Sequence, residues 1–212
     1  MSLPGIEQGY FTISDSLNSI LEQVPCEQAE LIKSMLVERI EYSLEIRESH
    51  GGINLMLTVY AEMDRAINES INADPPIDIS CKKGCSFCCH SHVDISADES
   101  ELLKLVTSAN KIDIDYELLK RQSKYDSSNW HEQSWQDRKC VFLDKEAGIC
   151  KIYAHRPANC RKLYSSSSPS LCESEDSKSP ILRYTVPEAE ILSSAIMNVS
   201  ISLSIPNLLL QS

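Results

Sequence analysis

Positive charge, aromatic side chains and long apolar runs are all scarce in this sequence, and each scarcity excludes something. The 212 residues carry 20 Lys and Arg against 31 Asp and Glu, a net charge of −11. Binding a polyanion needs clustered cations to neutralise phosphates, so general nucleic-acid binding is disfavoured. Basic residues gather only in short runs such as Lys151 to Lys162. Aromatics make up only 6% of the chain, so a core must rest on Leu, Ile, Val, Met and Ala. No apolar run approaches the roughly 20 residues that span a bilayer. The opening MSLPGIEQGYFTISDSLNSILEQV has neither a basic start nor a continuous apolar stretch, so it does not read as a signal peptide. A cytoplasmic protein is the expectation, with protein or small-molecule partners, no membrane span and no oligomeric state prescribed. With six glycines in all, no glycine-rich nucleotide loop is visible.

What is present is helix, then cysteine. Ser14 to Val24 is a short helix candidate. Glu27 to Glu48 places Ala29, Ile32, Leu36 and Ile40 at steps of three and four, one face of a helix. Ile53 to Ile71 repeats this with Leu55, Val59, Met63 and Ile67, and Gly51-Gly52 lies between the two. After the breaker NADPPID at 72–78, Ser96 with Glu99 has the form of a capping box and predicts a helix start. Asp113 to Tyr125 suggests another helix. KCVFLDKEAGICKIY at 139–153 reads as a hairpin turning at Asp144 and Gly148. Pro157 suits the first turn of a short helix, and residues 165–179 are Ser-rich and turn-like. Thr185 with Glu188 repeats the capping-box form, predicting a helix from about Pro187 to Ser202 that Ile205-Pro206 ends, with Leu208 to Leu210 docking on the body.

The expected fold is mainly α with a small β-hairpin, an irregular cysteine-rich metal-binding core surrounded by helices. Residues 1–75 would form a helical segment packed on the core. Residues 76–180 would be the cysteine-cluster region, and 181–212 a C-terminal helix and tail, all within one structural domain.

Eight of the nine cysteines fall between positions 81 and 172: Cys81, Cys85, Cys88, Cys89, Cys140, Cys150, Cys160 and Cys172. Such concentration does not suit random core filling. A disulfide framework fits the even number but not a reducing compartment. Cys85 and Cys88 form a Cys-x-x-Cys, yet the βαβ context of a thioredoxin-like redox pair is missing. Thiolates bind zinc and iron strongly, and short Cys-x2-Cys loops pre-place two sulfurs. Consecutive side chains diverge, so the vicinal Cys88-Cys89 suits two metals, or two irons of one cluster, better than one tetrahedral ion. Alternatively one of the pair ligates and the other packs. Cys26, far from the rest, reads as a small buried or helix-start residue. His90, His92 and His155 are read as flanking the thiols or exposed, Tyr153 as packing under the hairpin, and Trp130, His131 and Trp135 as a stretch covering the site. Gly84 permits the positive φ that a metal-binding knuckle needs.

The run C-x2-G-C-x2-C-C at 81–89, followed by CVFLDKEAGICKIYAHRPANCR at 140–161, resembles the YkgJ-type cysteine-cluster family, the zinc- or iron-chelating domain named for a CxxCxxCC signature. Three residues rather than two separate Cys81 from Cys85. The resemblance covers about residues 78–175 and implies metal binding through the eight cysteines. It also highlights Gly84, Tyr153, Arg156, Pro157 and Arg161. Arg156 and Arg161 are candidate cofactor-side residues, offsetting thiolate charge or holding a carboxylate. Flagellin lysine N-methylase resembles the same domain. That likeness implies an iron–sulfur cluster and S-adenosylmethionine-dependent lysine methylation. Three functions are therefore carried forward: a metal-binding protein (zinc, iron or iron–sulfur), a metal-dependent protein lysine methyltransferase, and a thiol redox sensor.

Overall fold

Apolar side chains at helical spacing build most of the body. The computed structural model describes residues 11–82, 84–144, 146–172 and 183–211. Helix α1 (Asp15–Gln23) starts where the Ser14 hydroxyl accepts from the Leu17 amide, and buries Leu17. Helix α2 (Cys26–His50) buries Ala29, Leu36, Ile40 and Ser43 along one stripe. Gly51 alone links it to α3 (Gly52–Ile71), which buries Leu55, Met56, Val59, Tyr60, Met63, Ala66 and Ile67. Helix α8 (Pro187–Val199) is buried on nearly every side, Glu190, Ser193 and Ser194 included, and packs against α1, α2 and α3. Each fully buried Leu or Ile in this layer contributes about 1.5–3 kcal/mol by leaving water.

Helix α4 (Ala97–Ala109) joins the body to the cysteine region. Its predicted capping box is formed, with Glu99 N donating to the Ser96 hydroxyl at 3.2 Å and Ser96 N donating to the Glu99 carboxylate at 2.9 Å. Short elements follow: α5 (Tyr116–Gln122), the hairpin of β2 (Leu143–Asp144) and β3 (Ile149–Cys150), α6 (Ala158–Arg161), β4 (Tyr164–Ser165), α7 (Pro169–Cys172) and β5 (Arg183–Tyr184), which pairs antiparallel with β4. Turns of 3-10 helix occupy Phe87–His90, Trp130–Glu132 and Tyr153–His155. The expected mainly helical fold with a small hairpin is observed. Part of the Ser-rich stretch, residues 173–179, lies outside the described residues. Among the described residues no helix is long and apolar enough to cross a membrane.

Three expectations near the C-terminus are corrected. The Thr185–Glu188 capping box does not form, because Val186 takes the N-cap place before Pro187 and leaves Thr185 one residue outside. Helix α8 stops at Val199 rather than Ser202, since Ser202–Ser204 becomes strand β6 and pairs antiparallel with β1 (Asp94–Ser96). Pro206 starts a helix instead of ending one. It lies in the first turn of α9 (Ile205–Leu210), where its missing N–H costs nothing, and the Ser204 hydroxyl accepts from Asn207 N at 3.4 Å.

Candidate metal centre

The first cysteine stretch is a loop shaped by its own backbone. Cys85 N donates to Lys82 O at 2.9 Å, closing a turn through Gly84 at φ +92°, a conformation that favours glycine. Cys88 and Cys89 then take successive places in the 3-10 turn Phe87–His90. Their thiols are near enough to shift one another's ionisation, a closer relation than the divergence of neighbouring side chains suggested.

Two other parts of the chain close on this loop from different sides. On one side is the hairpin. Cys140 N donates to Cys89 O at 2.8 Å, and Cys150 sits opposite Leu143 in the β2–β3 pair. Gly148, at the hairpin turn, approaches so closely that a Cβ there would lie 3.3 Å from Gly84 O. Gln122 of α5 steadies the approach to Cys140 by donating to Asp137 O and Lys139 O. Cys160 lies on α6, whose first amide, Ala158 N, donates to the buried Glu99 carboxylate at 2.8 Å. Asn159 bridges α6 to Asp94 O and to Ser193 of α8. On the other side is β4. Ser80 N donates to Ser165 O at 2.9 Å, and the Cys81 thiol points to the same oxygen at 3.9 Å. Cys172 closes α7, just beyond.

Two cavities result. The larger, about 460 Å³, is lined by Cys85, Cys88, Cys89, Cys140, Cys150 and Cys160, with Phe142, Ile149 and Ile152 among its apolar walls. The smaller, about 350 Å³, is lined by Cys81, Cys85, Cys88 and Cys172. All eight sequence-predicted thiols therefore reach one or both cavities, and none forms a disulfide. Cys26 begins α2, exposed rather than buried and on neither cavity wall. Among the described residues no Asp or Glu lines either cavity, whereas Lys82, Arg138, Arg156 and Arg183 do. Cations are thus collected around sulfur in a protein of net charge −11.

The thiols' environments differ. The adjacent Cys89 thiol holds the Cys88 thiol below its ordinary range against the opposing effect of burial, and the Arg156 guanidinium helps. Cys88 beside it, with burial, pushes Cys89 well up. Burial pushes Cys140 up to about 12 and Cys160 well up, and it raises Cys81, Cys150 and Cys172 as well. Among the described residues no three Cys, His, Asp or Glu side chains stand ready around a shared coordination point. The donor set nonetheless fits a thiophilic metal. It offers eight thiols on two adjoining walls, no competing carboxylate, and nearby cations to offset thiolate charge.

The two predicted arginines have separate situations. Arg156 lines the larger cavity, donates to the Tyr164 hydroxyl at 3.0 Å and lies over the Tyr153 ring at 4.3 Å. Tyr153 is exposed rather than packed under the hairpin, because this stacking holds it at the rim. Arg161 is turned away from both cavities. It is buried, binds both Asp64 oxygens at 2.7 and 2.6 Å through Nη1, donates to Ala154 O and stacks on Tyr60. His90 stacks on Trp135 at 4.0 Å, Trp130 donates to His90 O, and His92 meets Trp130 edge-on. Trp130, His131 and Trp135 thus all line the smaller cavity, and Trp130 reaches the larger one as well. Arg138 was not singled out by the sequence. It has no pattern of its own and reaches both cavities only because it lies against the Trp135 ring.

Residues 80–180 match the CxxCxxCC family model, described as "Putative zinc- or iron-chelating domain", which bears out the resemblance drawn from the cysteine spacing. An uncharacterized protein of Methanocaldococcus jannaschii is 36% identical over 77 residues, which are 36% of this chain and 40% of that relative. The chain thus spans about two fifths of the length of the curated relative it matches. No solved structure matches the chain.

Proposed function

We propose that this protein binds zinc or iron through Cys81, Cys85, Cys88, Cys89, Cys140, Cys150, Cys160 and Cys172. The observation that carries the reading is the gathering of these eight thiols, from separate parts of the chain, onto two adjoining cavities free of carboxylates among the described residues. Zinc held this way closes loops that have little packing of their own, and iron or an iron–sulfur cluster adds one-electron chemistry. The chain's own residues do the rest. Arg156 and Arg138 offset thiolate charge, and the Trp130–Trp135 stretch limits access of water and oxidant to the smaller cavity. Purification without air, followed by metal and sulfide analysis and visible absorption, tests the proposal. Stoichiometric zinc in a colourless, sulfide-free protein would discard the iron–sulfur form. Absence of any metal would discard the whole reading.

A second reading, a metal-dependent protein lysine methyltransferase, is favoured by one observation. The apolar cavity of about 460 Å³ that reaches the thiols lies within the roughly 300–1,000 Å³ of small-molecule sites. Calorimetric titration of the metal-loaded protein with S-adenosylmethionine decides. Saturable binding supports this reading, and no heat of binding counts against it.

A further inference from the structure

We infer that the eight thiols divide into two four-thiolate metal sites, with the division falling at the peptide bond between Cys88 and Cys89. One site takes Cys81, Cys85, Cys88 and Cys172. The other takes Cys89, Cys140, Cys150 and Cys160. The inference rests on the metal-binding reading above and adds which sulfurs share an ion.

Three observations converge on this partition. The first is cavity membership. Cys81 and Cys172 reach only the smaller cavity, while Cys89, Cys140, Cys150 and Cys160 reach only the larger. Just two thiols, Cys85 and Cys88, touch both. The second is number. Four thiols reach only the larger cavity and two only the smaller, so both shared thiols, Cys85 and Cys88, are needed to bring the smaller set to four. The third is the backbone. Cys89 is tied through its carbonyl to Cys140 N on the hairpin, and Cys81 is tied through Ser80 N and its own thiol to Ser165 on β4. The loop is thus clamped at its two ends to two different supports, the hairpin that carries Cys150 on one side and β4, which leads on to Cys172 of α7, on the other.

Assigning Cys88 to the smaller set completes four donors there and leaves four for the other, the number that closes a tetrahedral thiolate site. The vicinal pair then has a definite role, since adjacent residues each serve a different ion. Each divalent ion with four thiolates leaves a local charge of −2. Arg138, which lines both cavities, Arg156 on the larger and Arg183 on the smaller stand where that charge collects.

The test is titration of the metal-free, reduced, full-length chain with cobalt(II) under nitrogen, followed through its thiolate charge-transfer and d–d absorption. The parent chain is expected to saturate at two equivalents with tetrahedral bands. Cys172→Ser and Cys81→Ser should each hold only one, as should Cys140→Ser and Cys150→Ser, with helical circular dichroism confirming that each variant is folded. A double Cys172→Ser/Cys150→Ser chain should hold none tightly. Saturation of the parent at one equivalent would overturn the partition while leaving the metal-binding reading intact. No cobalt–thiolate absorption at all would overturn both. Two equivalents in the parent with both lost in folded Cys172→Ser would overturn the independence of the two sets. Electron paramagnetic resonance of the two-cobalt protein checks the seam. Two separate high-spin signals are expected, and a signal quenched by coupling would show Cys88 bridging both ions, contrary to the division proposed.

Discussion

Along α3, seven side chains are buried, whereas between Cys81 and Cys89 none of the described residues is. The contrast is sharpest at that loop, since the neighbouring hairpin and α6 send Phe142, Ile152 and Ala158 into the same core as the helices. Helices α1, α2, α3 and α8 interlock Leu17, Leu36, Ile40, Leu55, Met63 and Ile196 into a continuous apolar core. The cysteine region offers two-residue strands, single turns and two cavities. A helical layer that buries apolar surface carries its own driving force. The 81–89 loop, none of whose described residues is buried, does not, and a metal binding only the folded form would supply the difference by mass action. The two regions meet at Glu99. Its buried carboxylate accepts from Tyr60 OH of α3, Ser96 N at the start of α4 and Ala158 N of α6.

The comparison is broken most directly by removing the metal. Chelation of the anaerobic protein is expected to abolish hydrogen-exchange protection at 81–89 and across the β2–β3 hairpin, while α2, α3 and α8 keep theirs. Equal loss in both regions, read by mass spectrometry peptide by peptide, would mean that they form one cooperative unit. Next in size, Leu36→Ala or Leu55→Ala should cost about 2–5 kcal/mol in denaturant melts by leaving cavities, with the metal content of the folded protein unchanged.

Glu99→Gln strikes the joint. It places an amide donor against either the Ser96 amide or the Tyr60 hydroxyl and Ala158 amide, leaving one or two donors without an acceptor, at about 1–3 kcal/mol. Burial raises the Glu99 pKa in the fold. Its contribution is therefore full below the unfolded carboxyl value of about 4.3 and is lost as pH rises through the folded value. The stability gap between parent and Glu99→Gln should narrow as pH rises from about 4 to 7. A gap that widens would contradict a raised pKa. The smallest effect is expected of Gly84→Ala, which meets no atom but must hold φ +92°, at about 1–2 kcal/mol and with weakened metal binding.

The sequence conveyed these regions unequally, for physical reasons. Periodicity at three and four residues marked α2 and α3 to within a few residues, because a long helix repeats its signal many times. Strands β1, β6, β4 and β5, of two or three residues each, repeat nothing and were invisible. The cysteines were legible through their density. Their division between two walls was not, because it depends on which distant strand each end of the loop meets. Arg156 and Arg161 read alike in sequence, five residues apart in a run of basic residues. Only the fold reveals that Arg161 is committed to Asp64, 97 residues away, while Arg156 faces the thiols. Pro206 misled because proline both ends helices and begins them, and the deciding partner is the Ser204 cap.

The account's central claim is that eight of the nine thiols form metal sites and the ninth does not. Cys81 and Cys88, like Cys26, are exposed residues, so burial alone does not shield them fully. Differential alkylation of the native, air-free protein, mapped by mass spectrometry before and after chelation, tests this directly. The predicted result is rapid labelling of Cys26 alone, with the other eight reacting only once the metal is withdrawn. Labelling of Cys81 and Cys88 at the rate of Cys26 before chelation, or recovery of the eight as disulfides, would contradict it.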